Sequence, residues 1–84
     1  MEMEIEFLNN NLSEWKNKLA VQENRLNMYK NFKYEILDLE VFSPKEKEVL
    51  LELNTLVFEF EMQVKKIQIK INYYEKEIEL LSRK

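Results

Sequence analysis

The side chains able to do chemistry in this 84-residue chain are carboxylates, hydroxyls and lysines, because histidine, cysteine and glycine are all absent. Glu48 with Glu52, and Glu75 with Glu79, stand four residues apart, the spacing that brings two carboxylates together on a helix face as an acid and a base. Nothing beside them in the sequence builds a pocket or separates their proton affinities, so they read as solvated surface. Ser13, Ser43, Thr55 and Ser82 have no imidazole to activate them. Thiolate and imidazole zinc sites and the Glu-x-x-His pairs of di-metal bundles need residues this chain lacks, and phosphate loops and EF-hand turns need glycine. The expectation is a non-enzymatic protein with no catalytic residue, metal site or cofactor.

Lysine is the remaining candidate. Lys65, Lys66 and Lys70 cluster in the second half, and Lys16 and Lys18 come near them if the chain folds back on itself. Such a band could touch nucleic-acid phosphates. Thirteen basic against sixteen acidic residues, a net charge of −3, do not by themselves call for a polyanion. Acidic residues also crowd the middle of the chain, where Asp38, Glu40, Glu46, Glu48, Glu52, Glu59 and Glu61 outnumber Lys45 and Lys47. Nucleic acid is therefore the second reading of the partner, and a protein is the first.

The elements that would position these groups are set by apolar spacing. From Leu50, alternating steps of three and four give Leu53, Val57, Phe60, Val64, Ile67, Ile71, Tyr74, Ile78 and Leu81 without a polar interruption. That is a coiled-coil type seam. The first half carries a second one, Ile5, Leu8, Leu12, Trp15, Leu19, Gln22, Leu26, Tyr29, Lys33 and Ile36, in which only Gln22 and Lys33 are polar. Asn9, Asn10 and Asn11 have low helix propensity, so fraying is expected before Leu12.

Between the two halves, Ser43 suits an N-cap, Pro44 suits the first helical position and Glu46 completes an S-x-x-E capping box. The resulting expectation is a single all-α domain: an antiparallel two-helix hairpin with helix 1 over about 3–40, a turn over about 41–43 and helix 2 over about 44–82. Folded about Ser43, the seams match layer by layer: Ile5 with Leu81, Trp15 with Ile71, Leu19 with Ile67, Leu26 with Phe60 and Tyr29 with Val57. Gln22 then faces Val64 and Lys33 faces Leu53. Lys33 can snorkel, while Gln22 needs water or a backbone partner, or serves to fix register. Lys18 falls beside Lys70 and Glu23 beside Glu61, so like charges flank the seam.

Helix 2 has more apolar residues than its seam uses. Leu51, Phe58, Met62, Ile69, Tyr73 and Leu80 recur at steps of seven and four on the opposite side. On the first helix, Met3, Phe7, Val21, Met28, Phe32 and Leu39 form a patchier line, broken by Asn10, Glu14, Asn17 and Asn24. A two-helix hairpin has little core for its size, so the second line of helix 2 is expected to join two hairpins as a homodimer, a four-helix bundle, or to capture another protein.

Ser43-Pro44-Lys45-Glu46-Lys47-Glu48-Val49-Leu50 resembles the opening of the helix-turn-helix in LuxR-type and sigma-region-4 regulators. The resemblance ends there, because the heptads continue where a turn and recognition helix would follow. Hairpin dimers of the Rop type, which bind RNA, are similar in architecture. No apolar run is long enough to span a bilayer and the opening Met-Glu-Met-Glu is acidic, so a cytoplasmic protein with no membrane partner is expected. The functional expectation is a small regulator, adaptor or inhibitor acting through an apolar helix face.

Overall fold

The structure, a computed structural model, describes residues 2–41 and 43–83. It contains two helices, α1 (Glu2–Leu37) and α2 (Pro44–Ser82), which pack against each other along their length. No strand occurs among the described residues. At 1.5 Å per residue the 39 residues of α2 span about 58 Å, and the hairpin measures 63 × 14 × 14 Å. Two helices lying side by side account for the whole shape.

The asparagine run does not fray α1. The helix begins at Glu2 and passes through Asn9–Asn11, where the Asn11 side-chain amide donates to the Phe7 carbonyl oxygen at 3.0 Å. A side chain that competes with the backbone elsewhere is here bonded one turn back along the helix. At its other end α1 stops at Leu37, three residues short of the expected limit. The Leu39 N–H bonds the Ile36 carbonyl at 3.1 Å, a tightened last turn. With no glycine, and no positive φ among the described residues, the chain has no left-handed cap with which to reverse sharply. It therefore gives up more helix to cross to α2. Phe42, inside the expected turn, lies outside the described residues.

Ser43 has the extended geometry of an N-cap (φ −87°, ψ 166°), with Pro44 in the first turn, and its carbonyl accepts from the Lys47 N–H at 3.2 Å. The capping box itself does not form. The Ser43 hydroxyl makes no capping bond, and Glu46 Oε2 is buried without a hydrogen-bond partner. Glu46 lines a groove with Ile36, Ser43 and Val49, where the end of α1 meets the start of α2. What starts α2 is the fixed φ of Pro44 and an acidic residue in the first turn.

Leu26, Leu53, Val57, Ile67 and Ile71 are the buried hydrophobic residues, and every one lies on a seam. The Tyr29 and Phe60 rings meet between adjacent layers at 5.3 Å. Lys70, next to Ile71, reaches Trp15, the residue that folding about Ser43 sets opposite Ile71. Lys33 is half-buried, as a snorkelling lysine is. Gln22 Oε1 is buried and accepts no hydrogen bond from the protein.

This core is thin. The accessible surface is 6766 Å², whereas a compact monomer of 10.4 kDa has about 5,400 Å². The difference is the cost in surface of an elongated pair of helices, and it makes the outer faces the place to look for function.

Candidate interaction surface

The side of α2 turned away from α1 carries the expected stripe. Leu51, Phe58, Met62, Ile69, Tyr73 and Leu80 are all exposed, from 41% at Met62 to 67% at Leu51. Their steps of seven and four are close to two turns and one turn of helix, so they keep to a narrow band while the seam residues turn inward. The Tyr73 ring rests edge-on against Tyr74 at 5.5 Å, which ties the stripe to the seam beneath it.

The outer face of α1 is different in kind. Met3, Phe7, Val21, Met28, Phe32 and Leu39 are exposed, but exposed Asn10, Asn17, Asn24 and Asn31 recur every seventh residue among them. This regular asparagine line was missed as a pattern, although its period is plain in the sequence. It interrupts the exposed apolar residues of α1 with amides that face water.

Three lysines of the expected band make contacts within the hairpin. Lys16 Nζ pairs with Glu75 at 3.7 Å, and Lys18 and Lys70 place their ammonium groups 4.5 and 4.2 Å from the centroid of the Trp15 ring. The like charges expected at Lys18 and Lys70 thus both sit against the ring of one indole. Lys65 and Lys66 are exposed beside the α2 stripe. All five lysines are exposed.

The carboxylates are also drawn apart. Glu75 faces Lys16, Glu79 accepts from Arg83 Nη2 at 2.6 Å, and Glu61 pairs with Lys30 at 3.5 Å, where a clash with Glu23 had been expected. Glu48 and Glu52 are exposed on the first half of α2. No group of three or more acidic residues is gathered to hold a metal ion among the described residues.

One further hollow was not anticipated. At the open end of the hairpin Met3, Phe7, Leu8 and Leu81, with Glu4 and Glu77, line a groove of about 380 Å³. It lies beside the last matched layer, Ile5 with Leu81. No helix among the described residues is long and apolar enough to cross a membrane.

No protein-family model matches the chain, and no curated protein or solved structure matches it.

Proposed function

We propose that this protein is a non-enzymatic protein–protein interaction module, a small regulator, adaptor or inhibitor, whose working surface is the outer face of α2. The observation that supports this reading is a line of six exposed apolar side chains on a helix whose other side is already packed. At about 100 Å² per side chain the stripe offers on the order of 600 Å² of apolar surface, the upper end for an ordinary monomer. Binding would follow helix-face recognition, with Phe58, Ile69 and Tyr73 as anchors and the flanking charges selecting orientation. The same face would join two hairpins into a four-helix dimer.

Changing Phe58 and Ile69 to lysine tests the surface. Both side chains are exposed, so the helical circular dichroism should be retained while light scattering shows the mass falling to that of one chain. A dimer whose mass is unaffected by the double substitution would refute this face as the interface. A second reading, nucleic-acid binding, draws on Lys65 and Lys66, the members of the lysine band that are exposed and outside the Trp15 and Glu75 contacts. It requires binding that weakens steeply with salt. Salt-insensitive association through the apolar stripe would count against it.

A further inference from the structure

The α2 stripe is its own reflection. About the midpoint between Lys65 and Lys66, Leu51 maps to Leu80, Phe58 to Tyr73 and Met62 to Ile69, and the steps of seven and four read the same in either direction. An aliphatic residue maps to an aliphatic one at each end, an aromatic to an aromatic, and a methionine to an isoleucine at the centre. This is the property an isologous contact requires, in which one patch meets a second copy of itself.

Charge along α2 is not symmetric in the same way. Divided at the same midpoint, Pro44 to Lys65 holds five acidic residues and three basic ones, while Lys66 to Ser82 holds three of each. A parallel pair of α2 helices sets the acidic half against an acidic half. An antiparallel pair sets it against a half with no net charge, and opposes the helix dipoles as well.

We infer that the occupant of the stripe is a second copy of this chain, with the two α2 helices antiparallel and their two-fold axis between Lys65 and Lys66. The inference rests on the proposed interaction surface and specifies its partner. Two stripes bury on the order of 1,200 Å², the lower limit for a specific interface. Lys65 and Lys66 lie on either flank of the stripe, where long stems let their charges turn to water. Because seam and stripe are on opposite sides of α2, the four helices form a row, α1, α2, then α2 and α1 of the second copy. A square bundle would need the two faces closer to a right angle apart. The row also leaves the asparagine line of α1 at its outer edges, facing water.

The absence of cysteine makes a direct test available through single-cysteine variants of the full chain. Under mild oxidation Lys66→Cys, next to the axis, should give a covalent dimer of doubled mass. Leu51→Cys should give none alone, since in this arrangement its two copies lie about 44 Å apart along the helix. Mixed with Leu80→Cys it should give the crossed dimer. Self-linking by Leu51→Cys would overturn the antiparallel arrangement while leaving the interaction surface standing. A wild-type chain that stays monomeric in light scattering would remove the second copy as occupant. A dimer dissociated by the Phe58 and Ile69 substitutions, yet never linked through Lys66→Cys, would refute the position of the axis alone.

Discussion

Replacing Gln22 by leucine should stabilise the protein. Gln22 occupies a seam position opposite Val64, and its Oε1 is buried without a hydrogen-bond partner. A buried acceptor left in this state costs about 1–3 kcal/mol. Leucine removes that cost and adds apolar contact, partly discounted because Gln22 is only half-buried and its amide borders a groove of about 320 Å³ with Arg25, Glu59 and Gln63. The expected gain is about 1–2 kcal/mol, and each kcal/mol raises the melting temperature of a domain this size by roughly 4–8 °C. Thermal and urea melts followed by helical circular dichroism, at one fixed protein concentration, measure it. Lys33→Leu is the control: the lysine stem already covers its layer and no buried atom is orphaned there, so its gain should be smaller. A lower melting point for Gln22→Leu would refute the reasoning, since it would mean that Oε1 is held favourably. A stable variant with a mixed population of masses would instead show Gln22 choosing register at the expense of stability.

Ile67→Ala, at a position only 7% exposed, should cost about 2–5 kcal/mol in urea unfolding. Ile69→Ala, two residues on but 62% exposed, should leave the stability of the hairpin within about 0.5 kcal/mol and weaken only association, measured by light scattering across a dilution series. Ser43→Ala should cost less than about 0.5 kcal/mol, against about 1 kcal/mol for an N-cap whose side chain is engaged, because the Ser43 hydroxyl makes no capping bond. Because Lys16–Glu75 and Lys30–Glu61 are largely exposed, raising the salt concentration should shift the unfolding free energy by less than about 1 kcal/mol.

The helices and their pairing were legible because they depend on period alone. Burial falls on Leu26, Leu53, Val57, Ile67 and Ile71 because alternating steps of three and four keep a side chain on one side of a helix, whatever its neighbours are. The outer stripe was readable for the same reason, as the apolar remainder once the seam was assigned. Details decided by competition between neighbours were not. Glu46 had two destinations, the Ser43 N–H and the groove beside Ile36, and spacing does not rank them. The end of α1 at Leu37 depends on how a chain without glycine crosses between helices. Lys18 and Lys70 looked like repelling neighbours because a pattern of charges omits the ring of Trp15 lying between their positions.

Trp15 is the one tryptophan in the chain, and its two cations come from different helices, Lys18 from its own and Lys70 from α2. Separating the helices at this layer would remove Lys70 and leave Lys18 in place. Because an ammonium charge over an indole perturbs its excited state, the intrinsic fluorescence should report closure of the hairpin toward its open end. Trp15 lies on the α1 seam, away from the α2 stripe, so that optical signal should track opening of the hairpin separately from whatever binds the outer face.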